Sequence, residues 1–238
     1  MVLVPRPRVL FLDAMGTLFD LQRSVGEIYT EIASQHKIEA DANVLDRQFR
    51  DVFKRHHAPV FASDKTPNVR TTLEKAWWRK VVLKTFQQTV DSLNIQSFDA
   101  FFDALYCYFS TEHPWSLFPE VIPTLDKWAS QGIELGIISN FDSRLIQVLE
   151  ALHLRDYFQS VTISSQAGAA KPDSRIFQSA LEKHGCASAL ALHVGDQERD
   201  DYQGALSAQL NSIWLNRRAR ASQQMKCVNS LDEIFWED

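Results

Sequence analysis

Val9-Leu10-Phe11-Leu12 is an unbroken apolar run bounded by Pro7 and Gly16. Side chains of a strand point to opposite faces in turn, so a strand wetted on one side alternates apolar with polar residues. A run without alternation needs cover on both faces, as in a parallel sheet flanked by helices. Similar runs occur at residues 133–139, 161–164, 191–194 and 212–215. Between them the period becomes helical: Ile122, Leu125, Trp128 and Ala129; Leu145, Ile146, Leu149 and Leu152; Ile176, Phe177, Ala180 and Leu181. Asp142 or Ser143 can cap the second of these helices, and Pro172-Asp173 precedes the third. Strands alternating with helices from about residue 113 predict an α/β fold, a Rossmann-like doubly wound parallel sheet.

Residues 21–112 read differently. They contain no strand-like run bounded by glycines. Their apolar residues recur at helical spacing instead: Val25, Ile28, Tyr29 and Ile32; Val44, Leu45, Phe49, Val52 and Phe53; Leu73, Trp77 and Val81; Phe98, Phe101, Phe102, Leu105 and Phe109. A loop with Pro59 and Pro67, roughly residues 56–68, separates the second helix from the third. The expected organisation is therefore a sheet core at 1–20 and 113–238, with an all-helical domain inserted at 21–112. No internal repeat or low-complexity segment interrupts it.

At 45% hydrophobic and 23% charged residues, the 238-residue chain has ordinary globular composition. A formal charge of −5 without long like-charged blocks disfavours a nucleic-acid partner. The basic cluster Asn216-Arg217-Arg218-Ala219-Arg220 is read as a solvated loop. Cys107, Cys186 and Cys227 are widely spaced and odd in number, which fits idle thiols rather than a disulfide frame or zinc site. The N-terminal apolar run is too short for a signal-peptide core or a membrane span. The expectation is a soluble cytoplasmic protein with no membrane partner; oligomeric state is left open.

In open parallel sheets, ligands sit beyond the carboxyl ends of the strands. The residues at those ends are Asp13, Ser139-Asn140 and Gly195-Asp196. Four segments then occur in order: Asp13-x-Met15-Gly16-Thr17; Ile138-Ser139-Asn140; Lys171-Pro172; and Gly195-Asp196-x-x-x-x-Asp201, followed by Tyr202-x-Gly204-Ala205. In this order and spacing they resemble the haloacid dehalogenase (HAD) superfamily of hydrolases. The helical insert after the first strand resembles that family's C1 cap, so the resemblance covers nearly the whole chain.

The resemblance implies a Mg²⁺-dependent phosphatase acting on a small phosphorylated metabolite. Asp13 would be the nucleophile, forming an aspartyl-phosphate, with Lys171 offsetting the meeting of two anions. Thr17, Ser139 and Asn140 would bind the phosphoryl oxygens. Asp13, Asp196 and Asp201 would hold Mg²⁺, with the backbone carbonyl of Met15 as a further ligand. Asp200 is either a surface acid or a substitute ligand.

Met15 departs from the phosphatase pattern. That position usually holds an Asp that protonates the leaving oxygen and then assists water, help worth about 10²–10⁴ in rate. As a side chain, Met15 itself reads as core filler. Its presence favours leaving groups that depart unaided, such as aryl or acyl phosphates. It also resembles the 2-haloacid dehalogenase branch, whose halide needs no proton; Arg23 would be the candidate for the substrate carboxylate there. Dehalogenases lack the Gly-Asp…Asp pair, which this chain keeps. A third reading is a binding or regulatory protein with a phosphate pocket and little turnover. In the cap, Arg70, Lys54 and Arg55 are candidate anion contacts. His56-His57 reads as a polar helix end near the cap opening, Trp77-Trp78 as cap core and interface, and His193 as a buried, hydrogen-bonded strand residue.

Overall fold

The computed structural model describes residues 1–62, 64–87, 95–217 and 225–237. β1 (Val2–Pro5) and β2 (Val9–Leu12) lie on either side of Pro7, and β3 (Phe19–Leu21) leads into four helices. These are α1 (Val25–Gln35), α2 (Ala42–Arg55), α3 (Pro67–Gln87) and α4 (Ile95–Tyr108), after which β4 (Trp115–Leu117) returns. Then follow α5 (Val121–Ser130), β5 (Glu134–Ser139), α6 (Arg144–Ala151), β6 (Ser160–Ile163), α7 (Ser164–Ala167) and α8 (Ser174–His184). The chain closes with β7 (Ala191–Gly195), a π-helical turn at Glu198–Gln203, α9 (Gly204–Ser207), β8 (Asn211–Leu215), β9 (Cys227–Val228) and β10 (Ile234–Glu237).

Six strands form one parallel sheet in the order β6-β5-β2-β7-β8-β9. The lack of alternation in β2 has the expected cause. Leu10 and Leu12 pack on one face with Leu135, Ile137, Val194 and the α6 residues Leu145 and Leu149. Val9 and Phe11 pack on the other with Ile176, Phe177 and Ala180 of α8. All four β2 side chains are fully buried, each burial worth about 1.5–3 kcal/mol. This is the expected α/β architecture, with the helical cap inserted between β3 and β4. At residues 161–164 the strand ends one residue early, and Ser164 opens α7.

The cap has its own core, in which Ile28, Tyr29 and Ile32 meet Leu45, Phe86, Phe98, Phe101, Phe102 and Leu105. Ser24 starts α1 with a capping box: its hydroxyl accepts from the Glu27 N–H, and the Glu27 carboxylate accepts from the Ser24 N–H. The chain enters and leaves the cap through one antiparallel ribbon, with Phe19 opposite Leu117 and Leu21 opposite Trp115. β1 and β10 form a separate parallel pair. Cys107, Cys186 and Cys227 are all free. Among the described residues no helix is long and apolar enough to cross a membrane.

Candidate active site

β2 runs between β5 and β7, with Leu12 in register with both Ile137 and Val194. That register brings three strand ends together. The Asp13 N–H donates to the Val194 carbonyl at 2.9 Å, and the chain then turns. The N–H groups of Thr17 and Leu18 both donate to the Ala14 carbonyl, and that of Gly16 donates to the Phe19 carbonyl. Gly16 has φ +80°, and a Cβ there would lie 2.6 Å from the Asp196 carboxylate. Left-handed backbone and close approach both demand glycine at this position. At Gly195 the constraint is contact alone: a Cβ would sit 2.2 Å from Asp201 Cγ.

Buried Lys171 joins the acids. Its Nζ lies 2.8 Å from Asp13 Oδ1 and 2.5 Å from Asp201 Oδ1, and donates to the Ile138 carbonyl at 2.9 Å. Asp201 Oδ1 also faces His193 Nε2 at 2.9 Å, and its Oδ2 accepts from the Gln197 N–H. Burial alone would lower the Lys171 pKa, but Asp13 and Asp201 outweigh it and hold the ammonium charged. Burial would raise Asp201, yet Lys171 and His193 bring it below the usual carboxylate range. Asp13 is raised, by burial first and by Asp201, against the pull of Lys171. Asp196 is pushed up to about 7 by burial and by its neighbours Asp13 and Asp201.

Asp13, Asp196 and Asp201 each offer one oxygen, all within 4.8 Å of one another. Asp196 Oδ1 is buried and accepts no hydrogen bond. Three converging carboxylates, two of them lifted by burial and by their neighbours' charge, make a hard oxygen donor set of the kind a divalent cation such as Mg²⁺ takes. These residues fit such an ion. Asp200 lines the same cleft but is not in the cluster.

The cleft above these groups has a volume of about 900 Å³. Asp13, Met15, Ser139, Asn140, Lys171, Asp196 and Asp201 line it from the core, and Phe53, His56, Trp77 and Trp78 from the cap. Asn140 spends its side-chain amide on the backbone of Lys171: Nδ2 donates to the carbonyl at 2.9 Å and Oδ1 accepts from the N–H at 2.8 Å. It therefore positions Lys171. Thr17 is fully buried, does not line the cleft, and has a hydroxyl without a partner. Met15 is not core filler: it is 38% exposed and stands in the cleft wall.

The remaining candidates scatter. Arg23 pairs with Glu31 on the cap surface, and Arg70 donates to the Lys65 carbonyl. Lys54 is exposed. Arg55 lines a neighbouring cleft with His57. His56 ends α2, with Nδ1 2.7 Å from the Val52 carbonyl, and also lines the main cleft. His193 is fully buried, as expected.

Two features escape the motif reading. Arg217 is not part of a solvated loop. It donates to the carbonyls of Gly16 and Thr17, pairs with Glu120 at 2.6 Å and stacks over Phe118, clamping the turn after Asp13. Arg218 and Arg220 lie outside the described residues. The second feature is a latch between cap and core. Trp78 Nε1 donates to Asp142 Oδ2, and fully buried Glu74 accepts from the N–H and hydroxyl of Ser143. Asp142 also forks onto Arg144 and caps α6 through the Arg144 N–H, while Ser143 makes no side-chain cap. Ser164 donates to the Pro59 carbonyl of the cap loop.

A parallel sheet with carboxylates and a lysine at its strand ends under a helical lid defines a hydrolase of the HAD type. Residues 7–209 match the family model for haloacid dehalogenase-like hydrolases, and the chain belongs to that family. It is 33% identical over 208 residues to haloacid dehalogenase-like hydrolase domain-containing protein 3 of Mus musculus, covering 87% of this chain and 80% of the relative. Solved structures with the same fold include a HAD phosphatase from Thermococcus onnurineus, at TM-score 0.66 and 22% identity over 95% of both chains. A 2-haloacid dehalogenase from Pseudomonas syringae pv. Tomato DC3000 superposes at TM-score 0.62 and 22% identity, covering 95% of this chain and 96% of that one.

Proposed function

We propose that this hydrolase is a Mg²⁺-dependent phosphatase acting on a small phosphate ester or anhydride through an aspartyl-phosphate at Asp13. The observation that carries the reading is the convergence of Asp13, Asp196 and Asp201 around an acceptor oxygen without a donor, with Lys171 bridging Asp13 and Asp201. Asp13, Asp196, Asp201 and the Met15 carbonyl would hold the ion, which supplies positive charge against the phosphoryl oxygens. Lys171 adds its own charge beside the nucleophile, kept protonated by the two acids and aimed by Asn140. Ser139, in the cleft wall, is a donor for a phosphoryl oxygen. We assign the core to residues 1–20 and 113–238, the cap to 21–112, and the working compartment to the cytoplasm.

Met15 favours a second reading, since a side chain that gives no proton suits carbon–halogen cleavage. The acidic cluster weighs against it, because three carboxylates around a metal-free site would repel an anionic haloacid. Aryl-phosphate hydrolysis that needs Mg²⁺, stops on chelation and vanishes in Asp13→Asn is the expected result. Metal-free halide release from a 2-haloacid would replace this reading with the dehalogenase. Tight inorganic phosphate binding without either turnover would replace it with a binding protein.

A further inference from the structure

Behind Met15 lies a second cavity, of about 130 Å³, with a wall that is almost wholly apolar. Tyr29, Phe49, Leu105 and Phe109 belong to it alone, whereas Met15, Phe53, Trp78 and Phe141 also line the reaction cleft. The two spaces therefore meet at Met15. Arg144 is the charged residue in the chamber wall among those described, and its guanidinium is spent on Asp142 and on the Tyr106 ring, 4.0 Å from the centroid. Interiors hold few voids larger than a water molecule. An apolar cavity of roughly 150 Å³ stays dry and accepts benzene. This chamber has room for about one aromatic ring, and its polar atoms are few, the unpartnered Tyr106 hydroxyl and Trp115 indole N–H among them.

We propose that the chamber holds the leaving group of the substrate, a single-ring aryl or equally compact apolar group joined through oxygen to the phosphoryl group; this rests on the phosphatase reading above. The placement explains Met15. An acid at that position would put a charge in the chamber mouth, whereas a thioether packs against a ring. The chemistry balances without the acid. Asp13 carboxylate oxygen bonds to phosphorus, the phosphorus–oxygen bond to the ring breaks, and its electron pair leaves as aryloxide. Water then adds to phosphorus, its proton goes to solvent, and Asp13 and phosphate are released. Selection by shape takes the place of help by protonation.

The test uses the full chain with Mg²⁺ and two readouts. Leu105 lines the chamber but not the cleft, so Leu105→Trp fills the first and spares the second. The preference for phenyl phosphate over acetyl phosphate, as a ratio of kcat/KM, is expected to fall by about tenfold or more in this variant. An unchanged ratio overturns the proposal. Binding is read separately from catalysis, by titrating phenol into protein carrying ¹³C-methyl methionine. The Met15 methyl signal, assigned through Met15→Leu, is expected to shift saturably while that of Met1 stays fixed. No Met15 shift in the unmutated protein overturns the proposal even if Leu105→Trp does not fold. A Met15 shift without any phosphate turnover overturns the phosphatase reading and leaves the chamber as an arene site.

Discussion

Asp196 carries the strain of the site when no cation is bound. Its carboxyl titrates near 7 in the folded chain, against roughly 3.9 when unfolded. A folded pKa above the unfolded one means that ionising the group costs the native state. That cost is absent below about pH 4, builds toward 7 and is complete above it. In EDTA, Asp196→Asn is therefore expected to be more stable than the parent at pH 8, by about 1–2 kcal/mol after allowance for solvent screening of this half-buried group. At pH 4.5 the two should nearly coincide in urea unfolding. A variant less stable at pH 8 would show that the carboxylate is held by contacts and not strained. Mg²⁺ should reverse the order, since an ion that binds only the folded parent stabilises only the parent. Asp13 and Asp196 were legible in the sequence because each follows an apolar strand directly, and Asp201 through its motif spacing from Asp196. Arg217 was not, since nothing local distinguishes an arginine that reaches back to Gly16 and Thr17 from one in solvent.

At the scale of elements, the loop between β5 and α6 does the joining. Asp142 caps α6, forks onto Arg144 and receives the Trp78 indole. Both members of the ion pair are buried. Asp142→Ala would leave Arg144 charged and uncompensated, and should destabilise the protein by about 3–5 kcal/mol in urea unfolding. A loss under about 1 kcal/mol would mean that Arg144 finds solvent or another partner. Helical periodicity revealed α1 to α4 because each buries one stripe against the others. It did not reveal β1 or β10, where Leu3 is 59% exposed and the short runs carry no clear pattern. Nor did it separate Asp142 from Ser143 as the cap of α6, because that choice depends on Glu74 taking the serine.

Among the described residues, the apolar layers on the two faces of the sheet and the core of the cap are joined by the β3–β4 ribbon and held shut by the latch. Trp78→Phe with Ser143→Ala removes cap-to-core hydrogen bonds and empties none of these layers. It also takes the hydroxyl donor from the buried Glu74 carboxylate, leaving only the backbone N–H of residue 143, and the cap can hydrate the freed oxygen by swinging away. Small-angle scattering is expected to give a larger radius of gyration for the double variant, with its far-UV circular dichroism unchanged. An unaltered radius would mean that the ribbon and the Ser164–Pro59 contact suffice to hold the cap. What the chain determined by itself is local: which runs need two-sided cover, which stripes make helices, and which reactive residues stand next to a strand end. Tertiary structure alone decided that Gly16 touches Asp196, that Glu74 meets Ser143, and that Met15 opens onto an aromatic chamber. The reason is range: periodicity is set by neighbours a few residues apart, whereas these contacts exist only once separate elements have packed.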